Sequence, residues 1–147
     1  MQVKSYFSIA TILIAFFILT SCWNNNKSQS DKGAIKVTPK VSVYYLHQKK
    51  SCPTCKAVGS VSRSTTEKYF KQELNDGKVA FFDLDISKPE NDSVAVKFEC
   101  NWSGLYIYSS NNGKEIKEDL TDVAFMYAVN NPDTLEQLVK SSITKKL

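Results

Sequence analysis

Apolar positions along the chain fall into blocks of different period, and each block predicts a different element. Val41-Ser42-Val43-Tyr44-Tyr45-Leu46-His47 is rich in β-branched and aromatic residues and predicts a strand. From Cys55 to Leu74, the spacing of Val58, Val61, Tyr69, Phe70 and Leu74 places them on one helical face. Gly59 and the Ser/Thr run through Thr66 weaken that helix and predict a bend there, and Asn75-Asp76-Gly77 ends it. Val79 to Ile86 is almost continuously apolar, the pattern of a strand buried on both faces. Ser87-Lys88-Pro89-Glu90 opens a second helix that runs to about Phe98, with proline near the first helical position.

The last third predicts a hairpin and a closing helix. Leu105-Tyr106-Ile107-Tyr108 is a strand, and Asn111-Asn112-Gly113 supplies turn residues that tolerate positive φ. Lys114 to Glu118 is a short edge strand guarded against aggregation by its own charges. Asp122 to Ala128 makes a helical turn, and Asn131-Pro132 starts a final helix carrying Leu135, Leu138, Val139 and Ile143. The order β-α-β-α-β-β-α predicts an α/β fold: a four-stranded mixed sheet with helices on both faces, its parallel strands joined by right-handed crossovers.

The N-terminus has a different character. Lys4 precedes a largely apolar run from Tyr6 to Leu19, then Thr20-Ser21-Cys22. A charged start, a short apolar stretch and small residues at its end describe a secretory signal, and the run falls short of the ~20 apolar residues that a bilayer crossing needs. Leu19-Thr20-Ser21-Cys22 resembles the lipobox of bacterial lipoproteins, which implies cleavage before Cys22 and a lipid on that residue. An ordinary signal peptide with an incidental cysteine, or an uncleaved anchor, are the alternatives. The expected organisation is a lipoprotein signal over 1–21, a polar tether over 22–36 and a domain over 37–147. About fifteen such tether residues reach roughly 20 Å. The expected location is the bacterial cell envelope, lipid-anchored on the extracytoplasmic side of a membrane.

Composition narrows the partners. Of 147 residues, 42% are hydrophobic, enough for one packed core. The net charge of +4 comes from 19 basic and 15 acidic residues without a dense basic block, so nucleic acid is not an expected partner and a monomer is expected.

The candidate chemistry lies in Cys52-Pro53-Thr54-Cys55, between the first strand and the first helix. Two cysteines at this spacing can close and reopen a small disulfide. At a helix N-terminus, unpaired N–H groups and the positive end of the dipole favour the first thiolate, and Lys49 and Lys50 add to that. Pro53 lacks an N–H that would be an orphan in the first turn anyway, and Thr54 completes the motif. His47, the only histidine, is either a proton shuttle for Cys55 or a strand-end residue with an ordinary hydrogen bond. Cys100 is left without a partner, and its expected role is that of a small buried hydrophobe.

A C-x-x-C motif in a βαβ context is the mark of a thioredoxin-like redox site. With Tyr45-Leu46-His47, Cys52-Pro53-Thr54-Cys55-Lys56-Ala57, Leu120-Thr121 and Ala124-Phe125-Met126-Tyr127-Ala128, the chain resembles the small thioredoxin-like proteins of the ArsF family, the nitrophenyl compound nitroreductase subunit. The resemblance spans Val41 to Leu147 and implies a thioredoxin-like fold. Two departures stand out. The stretch that matches the cis-proline loop of thioredoxins is Trp102-Ser103-Gly104-Leu105, without proline, and the position where many thioredoxins hold a buried acid is Leu46. Together they point away from general protein-disulfide reduction and toward thiol–disulfide exchange with one dedicated partner, an exported or membrane protein.

In that reading Cys52 is the nucleophile, Cys55 resolves the mixed disulfide, and no cofactor is needed. Three rivals remain. Cys52–Cys55 is an inert structural bond; or His47 and Cys100 complete a soft-ligand site for copper or zinc; or the domain only docks to a membrane enzyme through Trp102, Tyr106 and Tyr108.

Overall fold

The computed structural model describes residues 38–49, 52–111 and 113–147. The expected signal segment, Cys22, the tether and Lys50 lie outside the described residues. Among those that are described, no helix is long and apolar enough to cross a membrane.

Four strands form one sheet in the order β2-β1-β3-β4: β1 Val41–His47, β2 Val79–Asp85, β3 Gly104–Asn111 and β4 Lys114–Asp119. β1 runs parallel to β2 and antiparallel to β3, and β4 closes a hairpin with β3. Alternation sends Val41, Val43 and Tyr45 to one face of β1 and Tyr44 and Leu46 to the other. On the first face lie α1 Pro53–Tyr69, α4 Thr121–Tyr127 and α5 Pro132–Thr144, packed on a core that includes Val43, Val58, Leu105, Ile107, Leu135 and Val139. The short α2, Lys71–Asn75, leads from α1 into β2. The second face is covered by a 3-10 turn, Pro89–Asn91, and α3, Asp92–Phe98, over a smaller cluster of Leu46, Phe98, Cys100 and Tyr106. The expected α/β class, the four-stranded mixed sheet and helices on both faces are all present.

Two expectations need correction. β2 is not buried on both faces: it lies at the sheet edge, and only Val79 is fully enclosed. Its apolar run serves flanking contacts instead. Phe82 stacks on Tyr44 with centroids 4.8 Å apart, and Phe81 lies 4.6 Å beneath the Arg63 guanidinium. The long helix does not bend at Gly59. Thr65 and Thr66 hydroxyls donate back to the carbonyls of Val61 and Ser62, at 2.7 and 2.8 Å, so these buried hydroxyls are satisfied inside the helix. The break comes at Phe70, whose φ and ψ of −127° and 30° separate α1 from α2. The helical turn expected near Asp122 is present as α4, seven residues long.

The hairpin turn behaves as its composition predicts at Gly113, where φ is +79°. At the far end of the sheet, Glu118 of β4 accepts hydrogen bonds from Lys146 and from Ser142, tying α5 to the edge strand.

Gly59 is required for close approach. A Cβ there would come within 2.5 Å of the buried Tyr45 ring. Gly59→Ala is therefore expected to destabilise the protein by about 1–3 kcal/mol from overpacking, which outweighs the gain of about 1 kcal/mol in helix propensity. Urea unfolding reads the balance, and a variant as stable as the parent would refute it.

Candidate functional site

The chain leaves β1 at His47, turns through Gln48 and Lys49, and re-enters at Cys52, the N-cap of α1. Cys52 has the extended conformation of a cap residue, with φ −74° and ψ 164°, and its sulfur accepts a hydrogen bond from the Cys55 backbone N–H at 3.1 Å. Pro53 occupies the first helical position without wasting a donor. The first turn holds no acidic residue, so nothing on the helix opposes the positive end of its dipole at Cys52. Cys52 is exposed and Cys55 is buried, the two are disulfide-bonded, and their Cα atoms are 5.0 Å apart. Thr54 is half-buried and Lys49 is exposed.

A groove of about 250 Å³ runs beside the disulfide, lined by Gln48, both cysteines, Trp102, Ser103 and Phe125. Its far wall is the loop between α3 and β3, held from two sides. The Cys100 thiol donates to the Trp102 carbonyl at 2.8 Å, and the Gln48 side-chain amide donates to the Asn101 carbonyl at 3.3 Å. Trp102 is 74% exposed. Of the three aromatics expected on a docking surface it alone stands free: Tyr106 is buried against Phe98, and Tyr108 is half-buried beneath Lys97. The strand alternation that hides Tyr106 also turns Tyr108 to the α3 face.

A second groove, of about 290 Å³, opens on the other side of α1's first turns. His47 lies here, not among the cysteines. Its Nε2 is 3.1 Å from an Asp83 carboxylate oxygen and its Nδ1 is 3.0 Å from the Gln48 carbonyl. The other Asp83 oxygen accepts from Arg63 at 3.0 Å. Tyr45 stacks on the imidazole with centroids 5.3 Å apart, and its hydroxyl donates to the Cys55 carbonyl at 2.7 Å. Burial, helped by the Asp83 charge, pushes the Tyr45 phenol up to about 12. The route from His47 to Cys55 thus passes through Tyr45.

Sequence reasoning missed Tyr45, Asp83, Arg63, Gln48 and Phe125. One signal was available: Asp83 interrupts an apolar strand, and the parallel register pairs it with Tyr45, two residues and one strand period before His47.

Cys100 is buried and free, as expected, in the cluster beneath α3. It does not line the disulfide groove. Among the described residues, no three His, Cys, Asp or Glu side chains converge to hold a metal ion, so the ligand set of the copper or zinc reading is not assembled.

No protein-family profile matches the chain. No curated protein matches it either. Among solved structures it is similar to one described as "Structure of a malarial protein", at 19% identity and a TM-score of 0.43, covering 74% of this chain and 98% of that one.

Proposed function

We propose that this protein is a thioredoxin-like exchanger of thiols and disulfides, acting through Cys52 and Cys55 on a dedicated partner in the cell envelope and anchored by a lipid on Cys22. The strand order β2-β1-β3-β4, with the cysteines between the central β1 and the helix that follows, supports a thioredoxin-like arrangement. The resemblance to the ArsF nitroreductase-subunit family belongs to the same reading. One observation carries the proposal: the exposed Cys52 sulfur sits at the N-cap of a long helix and accepts a backbone N–H, while Cys55 lies buried behind it. That environment stabilises a thiolate at the accessible position and keeps the second thiol in reserve.

The exchange conserves atoms and electrons. The Cys52 thiolate attacks one sulfur of a partner disulfide, and the other partner sulfur leaves as a thiolate. Cys55, losing its proton to solvent, then attacks Cys52 Sγ. The Cys52–partner bond breaks, the second partner thiolate leaves, and the Cys52–Cys55 disulfide forms. Two electrons pass from this chain to the partner, and the same steps reversed oxidise a partner dithiol.

Cys55→Ser keeps the nucleophile and removes the resolving thiol. In cells it is expected to accumulate a reductant-sensitive mixed disulfide through Cys52 with one exported or membrane protein. Absence of any such species, with the variant folded and exported, would overturn the proposal. The exposure of Trp102 favours one second reading, a subunit that only docks to a membrane enzyme. In that case co-purification survives replacement of both cysteines by serine.

A further inference from the structure

We propose that Tyr45 is a positioning residue for the exchange site, holding the Cys55 thiol where it closes on Cys52; the inference rests on the exchange reading above. Resolution of a mixed disulfide is intramolecular. Its rate and its equilibrium depend on the effective concentration of the Cys55 thiol at Cys52 Sγ. Cys55 lies in the first turn of α1, and once the disulfide opens that turn is tied to Cys52 only by the local backbone, including the Lys56 N–H to Cys52 carbonyl bond at 3.0 Å. A hydrogen bond to the Cys55 carbonyl from a rigid neighbour adds a tie from outside the helix.

Tyr45 is such a neighbour. Its backbone lies in β1, paired with Asp83 on one side and Leu105 on the other. Its ring is wedged against Gly59 and backed by the His47 imidazole, which Asp83 and Arg63 brace in turn. From that seat the hydroxyl reaches the Cys55 carbonyl, and the bond is buried. Because burial lifts the phenol to about 12, it stays a donor at any pH at which exchange would be measured. When Cys55 attacks Cys52 Sγ, the sulfur–sulfur bond to the partner breaks and the partner leaves as a thiolate. Tyr45 transfers no proton in this step; it shortens the search.

The test is Tyr45→Phe in the full chain, which keeps the ring and removes only the hydroxyl. Equilibration with reduced and oxidised glutathione, or with dithiothreitol if the couple lies lower, gives the constant for closing Cys52–Cys55. A fall of about tenfold is expected, a potential about 30 mV less negative, with longer-lived Cys52–glutathione mixed disulfide. The shift should be flat from roughly pH 6 to 9, as the raised phenol requires. Tyr69→Phe is the control, because it removes a hydroxyl that ties the far end of the same helix to Glu136 at 2.7 Å. It should lower the melting temperature and leave the potential unchanged. His47→Ala, which removes the ring backing Tyr45, should shift the potential in the same direction by less. An unchanged potential and mixed-disulfide lifetime in Tyr45→Phe overturn the inference, as does an equal shift in Tyr69→Phe. Failure to trap any protein partner with Cys55→Ser sinks the exchange reading alone, since the glutathione equilibrium uses no partner.

Discussion

Cys52→Ser is expected to reduce disulfide exchange to the uncatalysed background. A serine hydroxyl neither ionises near neutral pH nor forms a bond that the next thiol can displace, so both steps fail together. Cys55 cannot substitute for it. It is buried, and the helix-terminal N–H that would favour a thiolate is accepted by the Cys52 sulfur instead. The measurement is the rate at which the reduced protein clears a small aromatic disulfide, with free thiolate released as the readout. A variant that kept even a tenth of the parent rate would mean that Cys55, not Cys52, makes first contact. Lys49→Ala should be mild by comparison, because an exposed lysine near an exposed sulfur is screened by salt.

The second large effect concerns stability and its dependence on pH. Leu46 is fully enclosed among Phe98, Cys100 and Tyr106, on the face opposite α1. The Cys100 thiol in the same cluster is already bound to the Trp102 carbonyl. Leu46→Asp therefore buries a carboxyl without a partner and is expected to cost about 4 kcal/mol or more at neutral pH. The sign of the pH dependence follows. Burial disfavours the carboxylate, so the folded-state pKa rises above the unfolded value of about 3.9. The penalty is then smallest below that unfolded value. It grows as pH rises and levels off above the folded-state pKa. Urea melts at pH 5 and pH 8 should differ for Leu46→Asp and agree for Leu46→Asn. Equal Leu46→Asp stability at both values would mean that the side chain escapes to water.

The order of elements along the chain, helices on both faces and the position of the cysteines at a helix start were legible because each depends on local signals. Those signals are the period of β1, the proline after Cys52 and the turn chemistry near Gly113. The bend was misplaced because Thr65 and Thr66 satisfy their hydroxyls within the helix, a compensation that propensity does not see. β2 read as central because an apolar run records contact with two helical layers as readily as a place inside a sheet. The charged groove was illegible for another reason. His47, Asp83 and Arg63 meet through the parallel register and the crossover helix, and no spacing along one element encodes a meeting of three. His47 could be picked out, but of the other two only Asp83 left a signal, as a charge inside an apolar strand.

The two walls of the disulfide groove belong to different halves of the molecule. The cysteine wall is the start of a 17-residue helix seated on the larger core. The Trp102 wall hangs from α3, seven residues long, which buries only Phe98 and ends with Glu99 in the left-handed conformation. In the exchange reading, substitutions on the exposed surface of the Trp102 loop can therefore reshape what a partner meets without disturbing the larger core behind the cysteines. In that reading the surface that recognises a partner and the sulfurs that react can change separately, and related chains are expected to diverge first on the Trp102 side.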